Sequence, residues 1–100
     1  MINIFAESEL DLKDKLVVFY CYTSWMIGHN KVFTMLKKFE EKYPDITFFS
    51  ADIDDCKAFI KAFKIKSVPT IIAFNNGKEI NRLVGLVLTP AMSAFFSKLK

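Results

Sequence analysis

The chain carries two cysteines and one histidine, and any thiol, redox or soft-metal chemistry starts from them. Cys21 sits inside the apolar run Leu16–Tyr22 and reads as a small buried hydrophobe. Cys56 opens a predicted helix, where the dipole lowers a thiol pKa, but Asp54 and Asp55 oppose that shift. It reads either as an oxidisable thiol, open to an intermolecular disulfide, or as the first residue of that helix's inner face. The two cysteines fall in different elements and form no Cys-x-x-Cys, so neither a disulfide framework nor a zinc site is expected. Met26 and His29, three apart at a helix start, offer two ligands to a soft ion such as Cu(I) with no third nearby. Asp52, Asp54 and Asp55 begin like a calcium loop, but Lys57 and Phe63 stand where such a loop needs glycine and glutamate. Those aspartates read as helix caps, and no metal or cofactor is expected.

The elements that must position these residues alternate between strand and helix. Met1–Phe5 is a short edge strand, and Ser8–Leu12 carries a modest helical signal. Leu16–Tyr22 is apolar on both faces, the mark of a central strand covered above and below. Val32, Leu36, Phe39 and Tyr43 recur at helical spacing, and Pro44 ends that helix. A second buried strand spans Ile46–Ala51. It leads to a helix with Cys56, Phe59, Ile60 and Phe63 on its inner face and Lys57, Lys61 and Lys64 outside. That lysine run, with Lys66, reads as a solvated face.

A third apolar strand spans Val68–Phe74, with Pro69 at its start because proline donates no ladder bond. Asn75-Asn76-Gly77 signals a hairpin, so Glu79–Val84 should return antiparallel. Thr89-Pro90 opens a last helix with Met92, Phe95, Phe96 and Leu99 inward. The class is α/β, a mixed four- or five-stranded sheet flanked by helices.

Composition narrows the rest. One hundred residues amount to about one small domain, so residues 1–100 are read as a single unit. With 52% hydrophobic and 25% charged residues the balance is globular, not disordered. A net charge of +3 is far short of a nucleic-acid signature. The longest apolar run, Leu16–Tyr22, is too short to span a membrane, and the amino terminus has no signal-peptide pattern. The expectation is a cytoplasmic protein, monomeric or weakly dimeric, with no nucleic-acid or membrane partner.

The element order, with Pro69 ahead of a glycine-turn hairpin, resembles the thioredoxin family. So do Leu16-Val17-Val18-Phe19 leading through Ser24-Trp25, then Asp52-Ile53-Asp54-Asp55-Cys56-Lys57, Val68-Pro69-Thr70, Phe74–Lys78 and Val84-Gly85, all in family order. The resemblance implies the thioredoxin fold with a cis proline at Pro69, whose neighbouring main chain pairs with an extended peptide. It also exposes departures. The family's Trp-Cys-Gly-Pro-Cys-Lys is here Trp25-Met26-Ile27-Gly28-His29-Asn30. Tyr20 stands where the family buries a proton-moving aspartate, and Thr34 where a proline kinks the long helix.

Thiol–disulfide exchange needs one thiolate to attack and a second thiol to release the mixed disulfide. A thioether at position 26 and an imidazole at position 29 supply neither. The expected function is therefore a redox-inactive module binding a protein or extended peptide. Its surface is Trp25, Met26, Ile27, Val68, Pro69, Gly85 and Leu86, with Met26 and Ile27 projecting outward. The alternative is an oxidoreductase in cell redox homeostasis. It would act as a monothiol through Cys21, since Cys21-Tyr22-Thr23-Ser24 resembles a glutaredoxin-type Cys-x-x-Ser, or with a partner's thiols.

Overall fold

Strand β2 (Leu16–Tyr22) is the strand against which the others are arranged, in a computed structural model that describes residues 1–13, 15–85 and 89–99. On one side it pairs parallel with β3 (Thr47–Asp52), and β3 in turn with the two-residue edge strand β1 (Ile2–Asn3). On its other side β4 (Thr70–Asn75) runs antiparallel, followed by β5 (Lys78–Val84). The five-stranded order is β1-β3-β2-β4-β5. The hairpin between β4 and β5 turns through Asn76 (φ 52°) and Gly77 (φ 84°). Two successive left-handed residues match the twist of the flanking strands.

Alternation along β2 divides the core in two. Leu16, Val18 and Tyr20 face α1 (His29–Lys42) and α3 (Thr89–Ser97), packing with Val32, Leu36, Met92, Phe95 and Phe96. Val17, Phe19 and Cys21 face the opposite way, toward Ile4, Cys56, Phe59, Ile65 and Phe74 around α2 (Lys57–Ala62). Phe96 stacks on Phe39 at 4.6 Å between ring centroids, so α1 and α3 meet through aromatic rings.

Several elements depart from the expected bounds, β1 keeping only Ile2–Asn3 of the expected Met1–Phe5. The Ser8–Leu12 helical signal yields only a 3₁₀ turn, Glu7–Glu9, whose residues are not buried. Glu7 instead reaches across the chain, and its carboxylate accepts from the amides of Ala58 and Phe59 (3.2 and 2.7 Å) at the start of α2. Helix α2 is shorter than expected. Cys56 and Phe63 flank it as caps because a second 3₁₀ turn, Ile53–Asp55, consumes the segment after β3. Strand β4 begins at Thr70, with Pro69 just ahead of it. Among the described residues, no helix is long and apolar enough to cross a membrane.

Candidate functional site

The register brings the singled-out residues to one end of the sheet. Cys21 pairs with Thr70, Tyr22 with Asp52, and Thr70 with Val84. The turn after β2, the end of β3, Pro69 and Gly85 therefore share one edge of the molecule. Asp52 holds that edge together: one carboxylate oxygen accepts from the Ser24 amide (3.1 Å) and the other from Asp54 (3.0 Å). The sequence identified Asp52 as a cap; its second task, pinning the Trp25 turn, spans two elements and has no local signature.

The turn itself is built around Gly28. The Met26 amide donates to the Thr23 carbonyl (3.2 Å), and Gly28, at φ 89°, caps the helix that starts at His29. A left-handed φ is open to glycine and closed to proline, whose ring fixes φ near about −65°. The turn thus follows a path that a proline at position 28 cannot follow.

Behind the turn lies a pairing that the sequence reading did not anticipate. The Tyr20 hydroxyl and His29 Nδ1 are 3.0 Å apart. Tyr22 stacks on the imidazole at 4.3 Å between ring centroids, and its hydroxyl donates to Asn3 Oδ1 (3.2 Å) on β1. Burial, with Tyr22 and Cys21 nearby, pushes the Tyr20 phenol well above its ordinary value of 10. The phenol therefore stays protonated, and it shares with His29 one hydrogen bond whose direction the imidazole tautomer sets. The available signal was chemical: the two positions where the thioredoxin resemblance implies a carboxylate and a thiol hold, in this chain, a hydroxyl and an imidazole that can share one hydrogen bond.

Burial lowers the His29 pKa below its ordinary 6.5, outweighing the opposing pull of Asp52. With the folded-state pKa below the unfolded one, the unfolded chain takes up the proton more readily. The contribution of His29 to stability is thus complete above about 6.5 and is lost as the pH falls through the lower folded-state value. The melting temperature of the natural chain is expected to fall more steeply between pH 7.5 and 5.5 than that of His29→Asn. Parallel curves for the two proteins would contradict this.

The apolar rim is uneven. Trp25 is 81% exposed and Ile27 is 91% exposed. Met26 does not project outward as expected: it is half-buried and packs against the cluster of Tyr20, Val32 and Leu36. An unbranched thioether suits the gap beneath the turn. The Val68–Pro69 bond is cis, Val68 is half-buried, and Pro69 is buried with its carbonyl accepting from the Gly85 amide (2.8 Å). A cleft of about 150 Å³ is lined by Ile53, Ile60, Ile65, Lys66, Ser67 and Val68. Leu86 lies outside the described residues.

Cys21 is not part of this surface. It is fully buried mid-strand, and the hydrogen bond with Cys56, then burial, pushes its thiol far above the ordinary range. Among the described residues, no group of three or more His, Cys, Asp or Glu side chains is arranged to hold a metal ion.

Comparison with known proteins agrees with the fold. The sequence model of the Thioredoxin family matches residues 4–98. Thioredoxin-1 of Saccharomyces cerevisiae is 34% identical over 73 residues, covering 73% of this chain and 71% of that protein. The thioredoxin-like protein YusE of Bacillus subtilis is 32% identical over 77 residues, 76% of this chain and 73% of that one. Among solved structures, Plasmodium falciparum thioredoxin superposes with a TM-score of 0.91 at 18% identity, covering all of both chains. Fasciola hepatica thioredoxin does so at 0.87 and 17%, again over both whole chains. By sequence match over nearly its whole length, this chain belongs to the thioredoxin family.

Proposed function

We propose that this thioredoxin-family chain is a redox-inactive binding module, one domain over residues 1–100, that holds a protein or an extended peptide at the Trp25 end of its sheet. The observation that carries the reading is the pairing of a non-thiol site with an exposed apolar rim. Met26 and His29 occupy the family's two cysteine positions, and beside them Trp25 and Ile27 are 81% and 91% exposed. Apolar side chains grouped in this way mark partner surfaces more often than bare solvent-facing ones. Val68, Pro69 and Gly85 form the main-chain wall, Met26 supports the turn from below, and Leu86 follows in sequence. Main-chain pairing of an extended segment needs no thiol. The same reading takes the protein as cytoplasmic and monomeric or weakly dimeric. Monothiol chemistry at Cys21 is disfavoured, because a substrate disulfide would have to reach a fully buried sulfur whose thiol resists ionisation.

Ile27→Asp tests the reading. Trp25 is the chain's sole tryptophan, so its fluorescence reports directly on the rim. Titration with a panel of extended apolar peptides is expected to quench or blue-shift the natural protein. Ile27→Asp should bind about 30-fold more weakly, the equivalent of ~2 kcal/mol for a hot-spot side chain. Its melting temperature should stay within about 2 °C, as for other substitutions on solvent-facing sites. A drop of many degrees would assign Ile27 to the core, and unchanged peptide binding would remove the rim from the interface.

A further inference from the structure

We infer that Cys21 and Cys56 form a buried dithiol that closes to an intrachain disulfide when the protein meets a hydroperoxide, a redox centre on the sheet face opposite Tyr20 and His29. The redox-inactive site is the thiol-free Trp25 end of the sheet; this pair lies on the other face, goes beyond the binding role and does not depend on it. The placement follows from the fold. Cys21 points to the α2 face of β2, and its register partner on β3 is Ala51. The chain leaves β3 at Asp52, turns through Ile53–Asp55, and returns Cys56 to the same cluster. The Cys56 thiol donates to the Asp52 carbonyl (3.4 Å), with the Ile53 carbonyl at 4.0 Å, and each thiol is the largest influence on the other's ionisation. Both side chains are 0% exposed and free of any existing disulfide. Two thiols that share one buried cluster need no rearrangement of the strand order to join.

The surroundings give the two thiols different roles. The hydrogen bond from Cys21 lowers the Cys56 thiol below its ordinary value, against burial and the charges of Glu7, Asp55 and Asp52. The same contact holds the proton on Cys21. Cys56, between a three-residue turn and a six-residue helix, is therefore the attacking sulfur, and Cys21, inside strand β2, the resolving one. In the first step the Cys56 sulfur attacks the hydroperoxide, the O–O bond breaks, and the thiol proton leaves with the alcohol, so that Cys56 becomes a sulfenic acid. In the second, the Cys21 sulfur attacks that sulfur, the S–O bond breaks, and hydroxide departs with the Cys21 proton as water. One hydroperoxide is reduced, two thiols are oxidised, and one alcohol and one water are released.

Entry to the pair is through its cover. The backbone over Cys56 is a three-residue 3₁₀ turn and a six-residue helix. Helices this short have little stability of their own, so local opening of this segment is cheaper than unfolding the sheet.

The test uses the natural chain. Reduced protein in native buffer is treated with hydrogen peroxide, remaining thiols are alkylated under denaturing conditions, and the chain is mapped by non-reducing peptide mass spectrometry. The expected result is a monomer lighter by two hydrogens, with one peptide linking Cys21 to Cys56. Its melting temperature should be several degrees higher, reversibly with dithiothreitol, because the new bond constrains the unfolded chain. Cys21→Ser, treated in parallel, should halt with Cys56 at the sulfenic acid, which dimedone traps. The proposal is overturned if both cysteines remain alkylatable after treatment that fully links the urea-unfolded chain. A linkage between two chains instead of within one overturns it equally.

Discussion

Met26→Cys/His29→Cys is expected to oxidise to an intrachain disulfide and yet to reduce insulin at least about 100-fold more slowly than a thioredoxin carrying its own dithiol; the natural chain should leave insulin at the uncatalysed rate. The two positions lie three apart, His29 opening α1 and Met26 in the turn before it, so sulfurs placed there are within bonding reach. Proton transfer is the deficit. The nearest candidate, Tyr20, is held above its ordinary 10 by burial and stays protonated at neutral pH, so it cannot take a proton from a thiol. A positioned general acid or base contributes about 10²–10⁴-fold to such reactions. Gly28 adds a second obstacle, since its φ of 89° gives the turn a path that a proline between the two cysteines does not share. Insulin turbidity with dithiothreitol, run beside a dithiol thioredoxin, reads the rate, and alkylation mass spectrometry reads the disulfide. Turnover equal to the dithiol protein would show that neither Tyr20 nor Gly28 limits the chemistry. Failure to form the disulfide would show that the turn holds positions 26 and 29 apart.

What the sequence made legible was what local physics encodes. The doubly apolar run of β2 announced a covered central strand, and the spacing of Val32, Leu36 and Phe39 announced α1 and its buried stripe. Asn76 and Gly77 announced the hairpin because few residues tolerate two left-handed positions in a row. Boundaries slipped where capping competed with periodicity. Cys56 and Phe63 have the spacing of helix α2 but lie outside it, because the Asp52 side chain stabilises the preceding 3₁₀ turn by accepting from Asp54.

The site was legible as a set of positions and illegible as a set of contacts. Trp25 and Ile27 are exposed in a turn, as loop residues ahead of a helix should be. Met26 turns inward because the cluster of Tyr20 and Val32 leaves room beneath the turn, a fact that depends on three separate elements. The Tyr20–His29 contact joins a strand to the next helix, and the cluster shared by Cys21 and Cys56 joins a strand to a turn beyond the following strand. Neither separation has a period or a turn signature. Both follow only once the parallel pairing of β2 with β3 is fixed.

Tyr20 is where fold and site depend on one side chain, and Tyr20→Ala is expected to cost about 3–5 kcal/mol, as for other large aromatic truncations in a core. The ring is 1% exposed, packs with Val18, Val32, Leu36, Ile71 and Met92, and stacks on Tyr22 at 5.2 Å between centroids. Its removal leaves a cavity at the centre of the α1–α3 face that neighbours on a rigid strand cannot collapse to fill. A domain of this size loses roughly 4–8 °C of melting temperature per kcal/mol, so Tyr20→Ala should melt well over 10 °C lower. Tyr20→Phe separates the two roles of the residue. It keeps the ring and removes only the hydroxyl 3.0 Å from His29 Nδ1, which should cost about 1 kcal/mol. Burial is what lowers the His29 pKa, and Tyr20→Phe keeps the ring beside the imidazole, so His29 should still titrate below the ordinary 6.5. Thermal melts of both variants, with an NMR titration of the imidazole in Tyr20→Phe, check this. If Tyr20→Ala melts within a few degrees of the natural chain, the ring is not structural mass. If the His29 pKa in Tyr20→Phe rises to the ordinary 6.5, the hydroxyl, and not burial, is what holds the imidazole neutral.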